Sequence, residues 1–203
     1  METMPLTASD KIDRRRLPLP EAAPEPVSEE TIAFWRSYLE GAPAFLDLPL
    51  DMPRGEAAGP IGSVGFALDG MVTGLLARVA EEAETDLFTV LTAAWSFFLG
   101  RISAGERVLL GACLPERPTV VVSSELVSVT SFTGLVADTR TSLEAALDHD
   151  ELSFEGLLEA LDLEAEPSRH PIYQAALALD EAVDGDVDLC LVFSSAGNGL
   201  AMQ

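Results

Sequence analysis

The stretch that decides the fold reads His-Asp-Glu-Leu-Ser-Phe-Glu-Gly-Leu-Leu-Glu-Ala-Leu over residues 149–161 and ends with Pro-Ser-Arg-His-Pro-Ile-Tyr-Gln over residues 167–174. Its spacing of polar and apolar residues predicts the end of one helix, a turn and a second short helix. Pro171 closes a further turn, because the residue before a proline favours extended backbone, and an apolar strand follows. Both histidines of the chain, His149 and His170, lie inside this stretch. Any chemistry that depends on histidine therefore has to occur here.

Helical and strand periodicities alternate along the rest of the chain. Helical spacing of apolar residues predicts helices over 28–41, 69–82, 86–101, 131–148 and 157–166. Ser28 is predicted to cap the first of them, with Glu29 and Glu30 in its positively polarised first turn. Alternating or continuous apolar runs predict strands over 64–68, 107–113, 119–130, 172–180, 187–194 and 200–202. Helices interleaved with strands in this way predict an α/β fold, an α+β sandwich in which helices pack on a mixed sheet.

The composition excludes several classes of function. The 203 residues carry a formal net charge of −22, so the chain has no basic stripe to replace counterions on nucleic acid. The same charge disfavours anionic membrane surfaces. An apolar fraction of 48% suits a folded domain with a substantial core. Because the N-terminus is polar and no apolar run is long enough to cross a bilayer, we expect a soluble protein of the cytoplasm.

The residues that commonly bind metals are not arranged as a metal site. Cys113 and Cys190 each lie in an apolar run without a second cysteine or a histidine nearby. This spacing fits neither a zinc site nor a redox pair and predicts two buried free thiols. The acidic segment 157–166 lacks the alternating aspartates and the glycine of a calcium-binding loop. We therefore predict no metal and no cofactor.

The N-terminal residues differ from the rest of the chain in charge. The segment Pro-Leu-Thr-Ala-Ser-Asp-Lys-Ile-Asp-Arg-Arg-Arg-Leu-Pro over residues 5–18 is similar to the closing motif of adenylation domains in nonribosomal peptide synthetases. In that family the motif's lysine contacts the acyl-adenylate. Lys11 occupies its position, but Asp10 replaces the glycine that normally precedes it, and no adenylation body precedes the motif. We expect Lys11 to be a relic that lacks its nucleotide pocket and binds no cofactor.

A proline-rich linker separates this segment from the rest of the chain. Four prolines fall within residues 18–26, a density that favours extended chain and forbids a helix. The predicted organisation is therefore an adenylation-tail remnant plus linker over 1–27, followed by one domain over 28–203.

Within residues 28–203, a series of motifs resembles the condensation domain of the same synthetases. In chain order they are Phe-Trp-x3-Leu-x-Gly-Ala-Pro (34–43), Leu-Pro-x-Asp-x-Pro-Arg (48–54), a helix-and-strand segment (85–111), His-Asp-x3-Phe-Glu (149–155) and Ser-Arg-His-Pro-Ile-Tyr-Gln (168–174). The last two resemble the family patterns His-Gln-Asp-x-Pro-Phe-Glu and Ser-Arg-Asn-Pro-Leu-Phe-Gln. The resemblance implies a lobe like that of chloramphenicol acetyltransferase. It assigns a structural role, bracing the fold, to His149, Asp150, Phe154, Glu155, Ser168, Arg169, Pro171 and Gln174.

The departures from the family pattern are as informative as the matches. Condensation domains contain two such lobes, and the first carries His-His-x3-Asp-Gly, whose second histidine is implicated in amide formation. The two histidines of this chain are not adjacent, and the Gly-Phe-Phe-Val-Asn-Thr stretch of the second lobe is also missing. No Gly-Gly-x-Ser carrier motif is present to hold a phosphopantetheine arm. The resemblance therefore implies the second lobe alone, a truncated condensation domain.

Local chemistry at His149 is the alternative to a structural role. His149 and Asp150 can be imagined as a general base and its orienting carboxylate, with Ser153 or Ser168 as a nucleophile. However, adjacent residues of a helix do not face each other. We favour a histidine near the negative end of a helix, followed by Ser153 as the cap of the next helix with Glu155 in its first turn.

The turn around His170 has a similar pair of interpretations. A bond from the His170 side chain to the backbone, fixing the turn before Pro171, is favoured over ligation or catalysis. Arg169 is predicted to pair with Glu164 or Glu166 across the same turn, a contact of small energetic value if exposed. We accordingly predict no catalytic residue in this stretch.

Three hypotheses for function follow. The first is a non-catalytic condensation-domain component that serves as scaffold or docking element for natural-product biosynthesis. Its partners would be other peptide-synthetase domains (adenylation, carrier or condensation). The second is half of an active, amide-forming condensation domain, completed in trans by a partner with the His-His-x3-Asp-Gly lobe. The third is a regulatory module that binds a synthetase domain or a second copy of itself through the face vacated by the missing lobe.

Overall fold

The computed structural model describes residues 28–50, 62–152, 154–163, 169–180, 187–196 and 199–202. The described helices are α1 (Glu29–Tyr38), α2 (Gly70–Glu82), α3 (Leu87–Ser103), α4 (Phe132–Leu147) and α5 (Phe154–Leu161). The strands are β1 (Phe66–Leu68), β2 (Arg107–Cys113), β3 (Val120–Glu125), β4 (Ala175–Leu179), β5 (Leu189–Ala196) and β6 (Gly199–Met202). The predicted remnant and linker over 1–27 lie outside the described residues, so the boundary at residue 28 stays a prediction.

The six strands form one mixed sheet in the order β1-β6-β5-β4-β2-β3. The central pairs β2–β4 and β4–β5 are parallel, whereas β2–β3, β5–β6 and β1–β6 are antiparallel. Parallel central strands need covering on both faces, which agrees with the continuous burial of β4. The predicted α/β fold with a mixed sheet packed by helices is confirmed.

Short polar side chains start the helices. Ser28, Asp69, Asp86 and Ser131 each accept hydrogen bonds from backbone N–H groups in the first turn of α1, α2, α3 and α4. These bonds satisfy donors that have no partner within the helix. The predicted cap of the first helix by Ser28 is confirmed, with a distance of 3.0 Å from the Thr31 nitrogen to the Ser28 oxygen.

Helices α2, α3 and α4 contact the sheet over β6, over β2 and β4, and over β3, respectively. The central helix α3 is the most apolar, and its Phe88 meets Phe193 of β5 with ring centroids 5.9 Å apart. Leu110 and Leu177 are completely buried in this layer. Helix α3 is therefore the core element, as its apolar character on most faces indicates.

The opposite face of the sheet is covered by the segment that follows His170. The ring of Tyr173 lies flat against β2 at Gly111, so closely that a Cβ added at Gly111 would stand 2.5 Å from the ring. Only glycine leaves room for this contact. Because Tyr173 belongs to the histidine-containing stretch, its position on β2 fixes that stretch to the sheet.

Several predicted boundaries are corrected. The strand predicted over 119–130 ends at Glu125 because Leu126 turns back to bond Glu106 and the chain must reach the cap of α4. The strand predicted over 172–180 begins only at Ala175, since Tyr173 is held in a turn. The last helix spans 154–161 rather than 157–166. Asp162, with a φ of +54°, ends it, and the Leu163 nitrogen bonds back to the Leu158 carbonyl.

Among the described residues, no helix is both long enough and apolar enough to cross a membrane. The predicted cytoplasmic location stays a prediction.

The contact between Gly111 and Tyr173 yields the first testable prediction. Gly111→Ala should lower the free energy of unfolding by about 1–3 kcal/mol, because the new methyl group forces the ring away from the sheet. Urea unfolding followed by circular dichroism measures this. Gly74→Ala is the matched control: a Cβ there meets nothing within 4 Å, so the helix should be stabilised by about 0.5–1 kcal/mol. Equal effects of the two variants would contradict the prediction.

Candidate functional site

His149 lies just after α4 and is held on three sides. Its Nδ1 is 2.9 Å from the carbonyl of Ala145, one helical turn earlier. Its ring stacks on Phe34 of α1, with centroids 3.8 Å apart and an interplanar angle of 6°. Its own carbonyl accepts a hydrogen bond from the Trp35 indole nitrogen at 3.1 Å. His149 therefore joins the end of α4 to the middle of α1.

Asp150 does not orient His149. Its carboxylate instead pairs with Arg117, in the connection between β2 and β3, at 3.5 Å. Both partners are substantially exposed, so the pair contributes little to stability. The alternative of His149 as a base oriented by Asp150 therefore has no supporting contact in the described structure.

His170 is buried and fixes a turn. Its Nδ1 accepts a hydrogen bond from the backbone nitrogen of Tyr173 at 3.2 Å, and the two rings lie 3.8 Å apart. The predicted bond from the His170 side chain to the backbone is confirmed. Pro171, between the two residues, supplies the restricted backbone that this compact turn requires.

Gln174 connects three parts of the chain and is 1% exposed. Its Oε1 accepts a hydrogen bond from the backbone nitrogen of Leu46. Its Nε2 donates to the His170 carbonyl at 2.7 Å. Its own carbonyl accepts from Asp188 and Leu189, where β5 begins. The amide therefore joins the segment after α1, the His170 turn and the sheet.

Arg169 lies over the ring of Phe45, with its guanidinium carbon 4.2 Å from the ring centroid. This cation–π contact ties the His170 turn to the same segment that Gln174 holds through Leu46. The predicted partners Glu164 and Glu166 lie outside the described residues, so their pairing with Arg169 stays a prediction.

Other predicted positions also lie outside the described part of the chain. Ser153 and Ser168 are two of them, and Lys11 is a third. Phe154 and Glu155 begin α5, and of these two only the backbone is described. Their structural roles stay predictions.

The two thiols lie on the Tyr173 side of the sheet. Burial raises the pKa of Cys113 to about 11, although its bond to the Thr119 hydroxyl opposes the rise. Burial also raises the pKa of Tyr173. At neutral pH Cys113 is therefore a protonated thiol, and it is a poor nucleophile because the thiolate is the reactive form. Both cysteines are free and half-buried, as predicted except for the completeness of burial.

Arg107 is an important residue that sequence reasoning identified only as the start of a strand. Its guanidinium donates to the carbonyls of Tyr38 at 2.5 Å and Glu40 at 2.7 Å, and to the Ser123 hydroxyl at 2.8 Å. It also pairs with Glu125 at 2.9 Å. An arginine that opens an otherwise apolar strand was the available signal, since a half-buried guanidinium must find several acceptors.

Helix α1 is fixed to α5 by a further arginine. Arg36 donates from Nε and Nη2 to the Ala160 carbonyl at 3.2 and 2.9 Å. Ala160 lies in the last turn of α5, where unpaired carbonyls carry negative partial charge and favour a cation.

The chemistry available to this arrangement is limited. The Nδ1 atom of each histidine is engaged with the backbone, and Cys113 is protonated. Within the described ranges, no group of three or more His, Cys, Asp or Glu side chains is placed to hold a metal ion. The contacts around His149 and His170 join helices, turns and strands to one another.

Comparison with known proteins places this geometry in context. A family model described as the condensation domain matches residues 21–186. A probable non-canonical nonribosomal peptide synthetase, CymA of Salinispora arenicola (strain CNS-205), is 33% identical over 183 residues, which are 83% of this chain and 2% of CymA. One of the plipastatin synthase proteins of Bacillus subtilis (strain 168) is 30% identical over 171 residues, which are 77% of this chain and 7% of that protein.

Solved structures agree with this match. The X-domain in its complex with OxyB from teicoplanin biosynthesis superposes with a TM-score of 0.77 at 25% identity, covering 85% of this chain and 46% of that one. A four-domain nonribosomal peptide synthetase, holo-AB3403, gives a TM-score of 0.78 at 17% identity over 86% of this chain and 17% of that one. The chain thus spans about half of the X-domain chain, and the predicted chloramphenicol-acetyltransferase-like lobe is confirmed.

The buried amide of Gln174 gives the second prediction. Gln174→Met keeps a similar volume but leaves the Leu46 nitrogen and the His170 carbonyl without their partner. Each unsatisfied buried group costs about 1–3 kcal/mol, so the free energy of unfolding should fall by at least about 2 kcal/mol. Chemical denaturation measures this fall. Glu159→Met on the exposed side of α5 is the control and should change stability by less than about 0.5 kcal/mol; a similar small change in Gln174→Met would refute the role given to the amide.

Proposed function

Because the chain belongs to the condensation-domain family, we propose that it is a truncated, non-catalytic condensation-domain component of a nonribosomal peptide synthetase. In this proposal it acts as a scaffold or docking element in natural-product biosynthesis. Its partners are other peptide-synthetase domains: adenylation, carrier or condensation.

One observation carries the non-catalytic role: both histidines are engaged in holding the backbone. The Nδ1 atoms of His149 and His170 bond to the Ala145 carbonyl and the Tyr173 nitrogen. The ring of His149 also stacks on Phe34. A general base must reach the proton that it abstracts, and these contacts give both imidazoles structural work instead. The sequence has no His-His-x3-Asp-Gly pattern, which supports the same conclusion.

A docking role is supported by one structural relative. The X-domain from teicoplanin biosynthesis, which superposes on most of this chain, was solved in complex with OxyB. By analogy, this chain would contribute a binding surface to its assembly line. The analogy concerns the mode of action and leaves the identity of the partner open.

The second candidate is half of an active condensation domain, completed in trans. It is favoured by the share of the X-domain chain that this chain covers, 46%, which leaves room for a complementary lobe of comparable size. It requires a partner that carries the His-His-x3-Asp-Gly motif.

Amide formation between loaded donor and acceptor carrier proteins tests the first proposal. With this chain added, product should form no faster than in buffer, and His149→Ala should leave that background rate unchanged. Product formation that depends on the chain and disappears in the His149→Ala variant would refute the non-catalytic role, provided that the variant remains folded by circular dichroism.

Binding and reconstitution separate the two candidates. We expect the chain to bind an adenylation, carrier or condensation domain of its synthetase in calorimetry, without restoring amide formation. If a protein supplying the His-His-x3-Asp-Gly lobe forms a stable complex that restores amide formation, the second candidate replaces the first. If no such domain binds, the docking role is wrong.

A further inference from the structure

Helices α2 and α3 present an unusual number of exposed large apolar side chains. Met71 is 73% exposed and Leu75 is 55% exposed on α2, and Phe98 is 49% exposed on α3. Val72, Phe97 and Ile102 are also exposed. We call these six residues the hairpin surface.

The chain topology brings the six residues together. A connection of four residues, 83–86, joins α2 to α3, and the two helices contact each other, so they run antiparallel as a helical hairpin. In such a hairpin the first turns of α2 lie beside the last turns of α3. Met71, Val72 and Leu75 occupy the first turns of α2, and Phe97, Phe98 and Ile102 the last turns of α3. The exposed residues therefore form one patch at the open end of the hairpin.

The area of this patch is large for a chain that acts alone. A large side chain that is about half exposed presents on the order of 100 Å², so the six together present on the order of 600 Å². This is at the upper end of the largest apolar patch on a typical monomer, about 300–600 Å². Two such patches facing each other would bury on the order of 1,200 Å², the lower bound for specific, stable interfaces.

The distribution of charge identifies the occupant. The sequence holds 34 acidic residues and a net charge of −22, yet neither residues 70–80 nor residues 87–103 include a single Asp or Glu. The charged residues within these two stretches are Arg78 and Arg101. Two strongly acidic copies repel each other, so they can approach only through a surface without carboxylates. The hairpin surface meets that requirement.

We propose that the hairpin surface pairs with the same surface of a second copy of this chain to form a two-fold symmetric dimer. The antiparallel hairpin suits this symmetry, because a two-fold axis through the patch sets α2 of one copy against α3 of the other. Such an interface is self-complementary, since the contact of residue i with residue j is repeated as j with i. The inference rests on exposure, topology and charge, and it holds whether or not the domain is catalytic.

Sedimentation equilibrium of the full chain at several concentrations tests the pairing. We expect the average mass to rise from that of one chain to that of two. Because apolar contact opposes like-charge repulsion, raising sodium chloride from about 0.05 M to about 0.5 M should tighten the dimer by screening that repulsion. A monomer at every concentration and salt would overturn the proposal. Tighter association at low salt would overturn it too, because it would indicate attraction between opposite charges.

Substitutions locate the interface. Leu75→Glu and Phe98→Glu each place a carboxylate in the patch, and each should weaken the dimer by roughly tenfold or more, since a charge is costly to bury without a partner. Both positions are exposed in the single chain, so circular dichroism spectra and urea midpoints should remain close to those of the unmodified protein. Leu163→Glu is the matched control: Leu163 is 41% exposed and follows α5, and its dissociation constant should not change.

The remaining outcomes distinguish other occupants. If the chain dimerises but Leu75→Glu and Phe98→Glu have no more effect than Leu163→Glu, the dimer uses another surface and the proposal is wrong. If the chain stays monomeric and a lobe carrying His-His-x3-Asp-Gly binds in a manner sensitive to Phe98→Glu, the patch receives that lobe instead. That result would also overturn the proposal.

Discussion

The burial of one neutral amide, that of Gln174, is the constraint on which the arrangement of the histidine segment depends. With 1% of its surface exposed, the side chain cannot exchange its protein partners for water, so each lost hydrogen bond leaves a desolvated polar group. Its two ends engage backbone atoms of Leu46 and His170, and its carbonyl receives the start of β5. The irregular segment after α1, the turn before β4 and the central parallel strands therefore share one fixed point. The Tyr173 ring against Gly111 holds that point on the sheet.

Arg107 provides a comparable constraint at the other end of β2. It binds the Tyr38 and Glu40 carbonyls, at the C-terminal end of α1, where unpaired carbonyls favour a cation. Trp35 meanwhile binds the His149 carbonyl, and Arg36 binds the end of α5. Helix α1 is thus oriented mostly by polar contacts to backbone atoms. Such contacts are directional, whereas apolar burial is roughly proportional to area, so they determine where α1 lies more than how much stability it adds.

Sequence reasoning succeeds where the interaction is local and fails where it is distant. Ser28 caps α1 through Thr31, three residues on, and His170 bonds Tyr173, also three residues on; both contacts were predictable from neighbouring residue types. The strand over 119–130 was overestimated because β-branched composition cannot show that Leu126 turns back to Glu106. The bond from Leu46 to Gln174 spans 128 residues. Its importance could not be read from Gln174 itself, because nothing near a glutamine in sequence tells whether it will be buried.

The placement of charge connects these constraints to the outer surface. A chain with a net charge of −22 gains solubility at the cost of self-repulsion, and that repulsion is least harmful where carboxylates are kept away from an apolar face. Helices α2 and α3 lie on one side of the sheet, while His149 and His170 are engaged with α1, α4 and the turn before β4. The polar side chains that brace the fold are therefore separate from the apolar side chains that remain exposed. In a domain organised this way, a partner can cover the exposed face without disturbing the hydrogen bonds that hold the fold, which suits a protein whose role is to bind.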